Sequence, residues 1–276
     1  MPDMNAILSF VYTIVIPVVV LVSFILANAM YLQLMERKVL AHMQSRLGPM
    51  RTGWHGILQP VADAVKFVFK EDVIPAKADK WVFSIAPLIL LVMAFGAFVA
   101  IPFGPTVQLF GTTVNLWVAN LNIGVLYILS MASVGTYGVI MAGWASNNKY
   151  SLMGGFRSAA QMISYEIPMA FAVLTVVLLS GSLNLSDIVN AQQKQWFIYA
   201  WPVGPVAFVL YLISGIAETN RVPFDLPEAE SELVAGYFTE YSGIRFGLFF
   251  MAEYMNMLIV SLLVSIMFLG GWLPVQ

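Results

Sequence analysis

The chain has 276 residues, of which 60% are hydrophobic and only 10% charged, and its mean hydropathy is +0.83. So few charges cannot build a water-soluble surface, so lipid must cover much of the protein. The net charge of −2 carries no nucleic-acid signature, and the absence of cysteine excludes disulfides, thiolate metal sites and iron–sulfur ligation within the chain.

Apolar runs of about 20 residues are candidate membrane spans. Six occur, at about 7–34, 81–103, 120–144, 160–181, 198–217 and 245–270. They predict an all-α polytopic membrane helix bundle forming a single membrane domain over 1–276. The first run is too long for a cleavable signal peptide and lacks its basic flank. Pro17, Pro87 and Pro168 fall inside spans, where neighbouring helices can satisfy the backbone groups that proline frees.

The loop after the first span carries Glu36, Arg37 and Lys38, then the turn Arg46-Leu47-Gly48-Pro49. Alone, these read as snorkelling charges and a basic interfacial anchor. Residues 55–71 then read as an amphipathic helix. Gln59, Asp63, Lys66 and Lys70 share one face, and Ile57, Leu58, Val61, Val65, Val68 and Phe69 fill the other. Such a helix lies at the membrane surface with its apolar face down. The only two histidines, His42 and His55, sit in this same loop, so the chain offers no pair of axial ligands for an intramembrane haem. Electron transfer would have to use a diffusible cofactor or a partner subunit.

Charge alternates between loops. Twelve of the 13 Lys and Arg fall in the loops after spans one, three and five, and only Lys194 falls elsewhere. By the positive-inside rule that side is cytoplasmic and both termini face the other.

Acids mark the candidate chemistry. Glu166 in the fourth span and Glu253 in the sixth lie at membrane depth, where a carboxylate is costly unless protonated, paired or hydrated. Such residues commonly serve proton relays. A protonated carboxyl satisfied inside the bundle is the plain structural alternative. Between the last two spans, the loop 218–240 gathers Glu218, Asp225, Glu228, Glu230, Glu232 and Glu240, opposed only by Arg221. An acidic run is ordinarily a solvated face. Here Val222, Phe224, Leu226, Leu233 and Val234 interrupt it, and two prolines stiffen it. Carboxylates this crowded share protons as a coupled cluster.

Several of these segments resemble one family. They are Glu36-Arg-Lys-Val, Arg46-Leu-Gly-Pro, Gly56-Ile-Leu-Gln-Pro-Val-Ala-Asp-Ala-Val-Lys, the stretch from Gly155 to Glu166, the stretch from Ala217 to Leu233, and Phe249-Phe-Met-Ala-Glu-Tyr. Together they look like the membrane subunit of respiratory complex I, the proton-translocating NADH:quinone oxidoreductase, that includes bacterial NuoH and the mitochondrially encoded subunit 1. The resemblance runs from about residue 10 to the end and is most specific over 217–233. It implies a quinone-chamber subunit in the bacterial inner membrane, beneath a peripheral arm whose partner subunits hold FMN and iron–sulfur clusters. Quinone is the implied substrate, with no covalently bound cofactor, metal site or catalytic redox residue in this chain. Implied partners are the peripheral quinone-chamber subunits, small membrane subunits and lipid.

By that resemblance Glu36, Arg37, Arg46, Asp63, Ala64, Arg221, Phe224 and Asp225 line or support the quinone chamber. Glu166, Glu218, Glu228, Glu230, Glu232, Glu240 and Glu253 form an acidic proton path out of it. Family members continue past Gly270-Gly271-Trp272 into two further spans, which the six-span reading of this chain does not include. Two other functions compete: the equivalent subunit of a membrane-bound hydrogenase or other non-NADH dehydrogenase, and a stand-alone secondary transporter. Against the transporter, the chain shows no internal repeat and no matched pair of broken spans.

Overall fold

The computed structural model describes residues 16–109, 112–227 and 230–274. Nine α-helices occur among them. Helix α1 spans Ile16–Met43, α2 Gln59–Phe69, α3 Lys80–Phe98, α4 Gly124–Ala145 and α5 Lys149–Ser180. They are followed by α6 Leu185–Ala191, α7 Val203–Glu218, α8 Glu230–Leu233 and α9 Gly243–Phe268. A small antiparallel hairpin, β1 Val107–Leu109 and β2 Thr112–Val114, sits between α3 and α4 with Gln108 opposite Thr113. It is too short for its pattern to be legible among the apolar runs.

Five of the described helices are long and apolar enough to cross a membrane: α1, α3, α4, α5 and α9. Phe24, Val92, Leu178 and Val206 remain 52–76% exposed on the flanks, as side chains facing lipid would. The chain is therefore a polytopic helical membrane protein. The candidate span at 198–217 resolves into a 3₁₀ turn, Phe197–Tyr199, and then α7. Pro202 and Pro205 hold the start of α7 back to Val203, because proline fits only a helix's first turn. With 16 residues, α7 is about 24 Å long, short of a full bilayer core.

The helices overrun the apolar windows at the charged end. Helix α1 has 28 residues, or about 42 Å, so its last two turns carry Glu36, Arg37 and Lys38 beyond the apolar stretch. It buries only a narrow seam, Ile25, Ala29, Leu34 and Ala41. Helix α5 begins at Lys149 rather than near 160. Asn148 caps it by accepting from the Tyr150 amide at 2.9 Å, and the small residues that follow pack too closely to be loop. A Cβ on Gly143 of α4 would stand 2.8 Å from the Ser151 carbonyl, and one on Gly154 would stand 2.6 Å from the Gly236 Cα. Small residues let these backbones touch, as in other membrane bundles.

Pro87 interrupts α3. Proline cannot donate to the carbonyl four residues back, that of Phe83. The Tyr241 hydroxyl donates to it instead, at 3.2 Å, while its ring stacks on Phe83 with centroids 4.0 Å apart. Burial pushes the Tyr241 pKa above its usual range despite the nearby Arg245, so the hydroxyl keeps the proton it donates.

The amphipathic helix is present but shorter than 55–71. It starts at Gln59 with Pro60 in its first turn and ends at Phe69, after which Lys70 is extended. Residues 54–56 form a separate 3₁₀ turn. Leu58, Val61, Val65, Val68 and Phe69 are exposed, as an apolar face laid on a membrane requires. Phe67 points the other way, against Gly247 and Phe246 of α9.

Candidate functional site

The charged ends of α1, α2, α7 and α9 converge. Helix α1 supplies Glu36 and Arg37 one residue apart, on different faces. Arg37 Nη1 reaches Asp63 Oδ2 on α2 at 2.6 Å, and Asp63 Oδ1 accepts from Gln59 Nε2 at 2.9 Å. Gln59 Oε1 in turn accepts from the Thr52 hydroxyl at 2.7 Å. Four polar side chains thus fix the amphipathic helix against the end of α1. Ala64 lies exposed beside Asp63.

Glu36 takes a different partner. Arg221, just beyond α7, places Nη1 2.8 Å from Glu36 Oε1 and Nε 2.8 Å from Glu253 Oε1 on α9. The Tyr254 hydroxyl donates to Glu36 Oε2 at 2.9 Å, and the guanidinium lies 4.9 Å from the centre of the Tyr254 ring. One cation therefore ties three segments together through two carboxylates and an aromatic face. Burial opposes the Arg221 charge. Glu253, the Tyr254 hydroxyl and Glu36 outweigh it, and the guanidinium's pKa is raised. It is a fixed positive charge at any physiological pH.

The loop that carries Arg221 is anchored from α5. Gln161 Nε2 lies 2.8 Å from the Ala217 carbonyl, 2.7 Å from that of Phe224 and 3.1 Å from Asn220 Oδ1. The Phe224 ring meets Tyr165 edge-on at 5.2 Å. Asp225 follows, partly buried. Neither Gln161 nor Tyr254 stands out from sequence alone. The one signal for them is a polar or aromatic residue within an otherwise apolar helix, lying inside the stretches that resemble the family.

The remaining acids are dispersed around this centre. Glu232 pairs with Arg157 of α5 at 2.6 Å, with both side chains exposed. Glu240 accepts from Asn148 Nδ2 at 2.5 Å, beside the α5 cap. Glu166 accepts from the Ser133 hydroxyl of α4. Glu218 closes α7 and faces a cavity inside the bundle. Glu253, read from sequence with the buried acids of the proton path, shares Arg221 with Glu36. Arg46 stays apart, donating to Gln44 Oε1 at 2.7 Å on the exposed turn. Glu228 lies outside the described residues. Glu230 begins α8.

Arg245 at the start of α9 pairs with Asp72 at 3.0 Å, joining α9 to the segment after α2. Among the described residues no group of three or more His, Cys, Asp or Glu is arranged to hold a metal ion. What the arrangement does show is two carboxylates, Glu36 and Glu253, held on one cation, so a change of charge at either alters the surroundings of the other.

Comparison with known proteins follows the same line. The family described as NADH dehydrogenase matches residues 16–276. The chain is 51% identical to an H-type component of the NADH-quinone oxidoreductase of Geobacter metallireducens, covering 96% of this chain and 79% of the relative. It is 50% identical to the corresponding protein of Geobacter sulfurreducens over 94% of this chain and 77% of the relative. It is also 52% identical to that of Thermomicrobium roseum over 91% and 77% respectively.

Proposed function

The chain belongs to the NADH dehydrogenase family, and from that premise we propose that it is the quinone-chamber membrane subunit of a proton-translocating NADH:quinone oxidoreductase. It works as one subunit of an enzyme complex. The other subunits of that complex are its partners, and those of the peripheral arm hold the FMN and iron–sulfur clusters that carry electrons to quinone. The side of the bundle on which α1, α4 and α7 end faces the bacterial cytoplasm, where that arm docks, because its helix ends and loops together carry the bulk of the Lys and Arg.

Within this reading, quinone enters from the bilayer between the end of α1 and the amphipathic helix, past Glu36, Arg37, Asp63 and Ala64. The exposed turn at Arg46 supports the entrance. Phe224 and Asp225 form the inner wall, on the loop that Gln161 holds in place. Reduction draws protons to, or adds negative charge at, this wall. The charge change is felt by Glu228, Glu230 and Glu232 on the same loop and by Glu240 and Glu253 around it. It passes inward through Glu218 and Glu166 toward the pumping partners.

The observation that carries the reading is the single guanidinium of Arg221 held 2.8 Å from both Glu36 and Glu253. A residue of the entrance and a residue of the proton path lean on one cation. Any change in charge on one side alters the hold on the other.

The test uses the intact complex in proteoliposomes. Glu36→Gln and Glu253→Gln are expected to lower NADH:quinone turnover and proton uptake together, while reduction of an artificial acceptor by the peripheral arm stays at the parental rate. Glu230→Gln and Glu232→Gln are expected to impair the same coupled turnover with the complex still assembled. Full quinone-linked activity across these variants would sink the proposal.

A further inference from the structure

Tyr211, on α7, is 1% exposed, and its hydroxyl has no hydrogen-bond partner among the described residues. It opens on a cavity of about 40 Å³ lined by residues of α3, α4, α5, α7 and α9. Most of the wall is apolar. The polar exceptions are Tyr211, Glu218 and Thr219 on one side and Asn256 of α9 on the other. Thr219 can only accept there, since the one proton of its hydroxyl is shared between the carbonyls of Gly215 and Ile216, each at 3.1 Å. Tyr211 and Glu218 are seven residues apart, two turns on one helical face, so both can meet the same cavity.

A buried hydroxyl without a partner is uncommon in folded proteins and points to an occupant that can bond it. A purely apolar void stays dry, whereas a cavity with several polar groups and room for the molecule holds water. One water needs about 10–15 Å³ of such space, so about 40 Å³ admits two or three.

We propose that this cavity is an internal water site held by Tyr211, Asn256 and Glu218. The Tyr211 hydroxyl donates to the first water. The chain of waters bonds the Asn256 side-chain amide and ends on the Glu218 carboxyl. The waters hydrogen-bond the Glu218 carboxyl, so its proton is held on a solvated group inside the bundle and the carboxyl is not left facing an apolar wall. The water site stands on the cavity and the orphaned hydroxyl. The role of Tyr211 as a positioning residue for the Glu218 proton rests on the proposed function above.

The test is electron cryomicroscopy of the intact complex in lipid, at a resolution that shows ordered waters, combined with infrared difference spectra. The expected result is water within hydrogen-bond distance of Tyr211 Oη. In Tyr211→Phe, which keeps the ring, that water is lost and the pH profile of coupled turnover shifts. The infrared band that disappears in Glu218→Gln also moves in Tyr211→Phe, and Asn256→Leu reproduces both effects by narrowing the cavity. A dry cavity in the parent overturns the proposal. So does water that persists in Tyr211→Phe, or an unmoved Glu218 band in both variants. The two readings fail separately. Water at Tyr211 with full pumping in Glu218→Gln removes Glu218 from the proton path and leaves the site standing. A dry cavity with pumping lost in Glu218→Gln does the reverse.

Discussion

The two ends of the helix bundle are held by different chemistry. At the end where α1 and α7 finish and α5 and α9 begin, all five ion pairs found among the described residues gather. At the opposite end, neutral amides make the ties. Gln192 donates to the Ile266 carbonyl at 2.8 Å and to that of Ile188 at 3.2 Å, and its oxygen accepts from the amides of Gly270 at 3.1 Å and Phe197 at 3.3 Å. Asn184 donates to Asn120 at 2.7 Å. These amide ties carry no charge and are indifferent to pH and salt. The ionic end changes strength whenever a charge arrives or leaves. A subunit that must answer to chemistry at one face only would be built with this asymmetry.

The sharpest way to break the comparison is to remove the charge at the centre of the ionic end. Arg221→Met leaves Glu36 and Glu253 facing one another without a cation. Losing one partner of a buried pair costs about 3 kcal/mol or more, because the remaining carboxylates stay in low-dielectric surroundings. Both acids here are largely shielded, with side chains 31% and 14% exposed. Quinone-linked turnover is expected to fall to near background, with less complex assembled on native gels. Arg221→Lys should rescue only part of the loss, because an ammonium cannot present two fixed donors to two acids. Full activity in the lysine variant would show that charge alone, not the fork, is needed.

Next in size is the opposite end. Gln192 is fully buried, and Gln192→Leu leaves the amides of Phe197 and Gly270 without an acceptor. Each orphaned buried group costs about 1–3 kcal/mol. The expected outcome is less assembled complex and a lower melting temperature, with unchanged turnover per assembled complex and unchanged salt dependence. A turnover defect in the surviving complex would erase the distinction between the two ends.

The ends also differ in what their sequence discloses. The alternation of basic loops with apolar runs exposes the topology, because positive charge and bilayer length act locally along the chain. The ties at the amide end are invisible, since Gln192 and Ile266 are 74 residues apart and a glutamine advertises no partner. The ionic end is half legible. Its residues can be named individually, Glu36, Arg221 and Glu253 among them, yet not joined. Arg221 and Glu36 lie 185 residues apart, and only folding shows that one cation serves both acids. Helix α5 reads short in the sequence because Lys149 and Arg157 have the polarity of a loop. The cap at Asn148 and the backbone contact at Gly154 override that polarity.

Tyr241 offers a smaller test with a pH sign. Its hydroxyl satisfies the carbonyl that Pro87 leaves open, so Tyr241→Phe should cost about 1 kcal/mol, the worth of one ordinary buried hydrogen bond. Burial raises the folded-state pKa above the unfolded value of about 10. The native protein then holds the proton more tightly than the unfolded chain. The contribution is fully present below pH of about 10 and is lost as pH rises through the folded value. The gap in melting temperature between parent and Tyr241→Phe should be constant up to that pH and shrink above it. A gap that widens there would reverse the assignment of Tyr241 as donor.

The smallest expected effect lies at the far edge of the ionic end. Thr52 donates to Gln59, which donates to Asp63, which pairs with Arg37. Only the last of these links carries full charge, and Arg37 is 45% exposed, so solvent already weakens the pair. Thr52→Val keeps the shape and removes the hydroxyl. Gln59 is then free to turn, and Asp63 loses orientation rather than its partner. If the chain of bonds positions Asp63 at the quinone entrance, the KM for quinone should rise about twofold, equivalent to about 0.4 kcal/mol, with kcat unchanged. Assembly should match the parent, because no buried group is orphaned. A fall in kcat at constant KM would instead mean that Thr52 reaches the charge-coupled centre. The boundary between entrance and proton path would then lie outside Arg221 rather than at it.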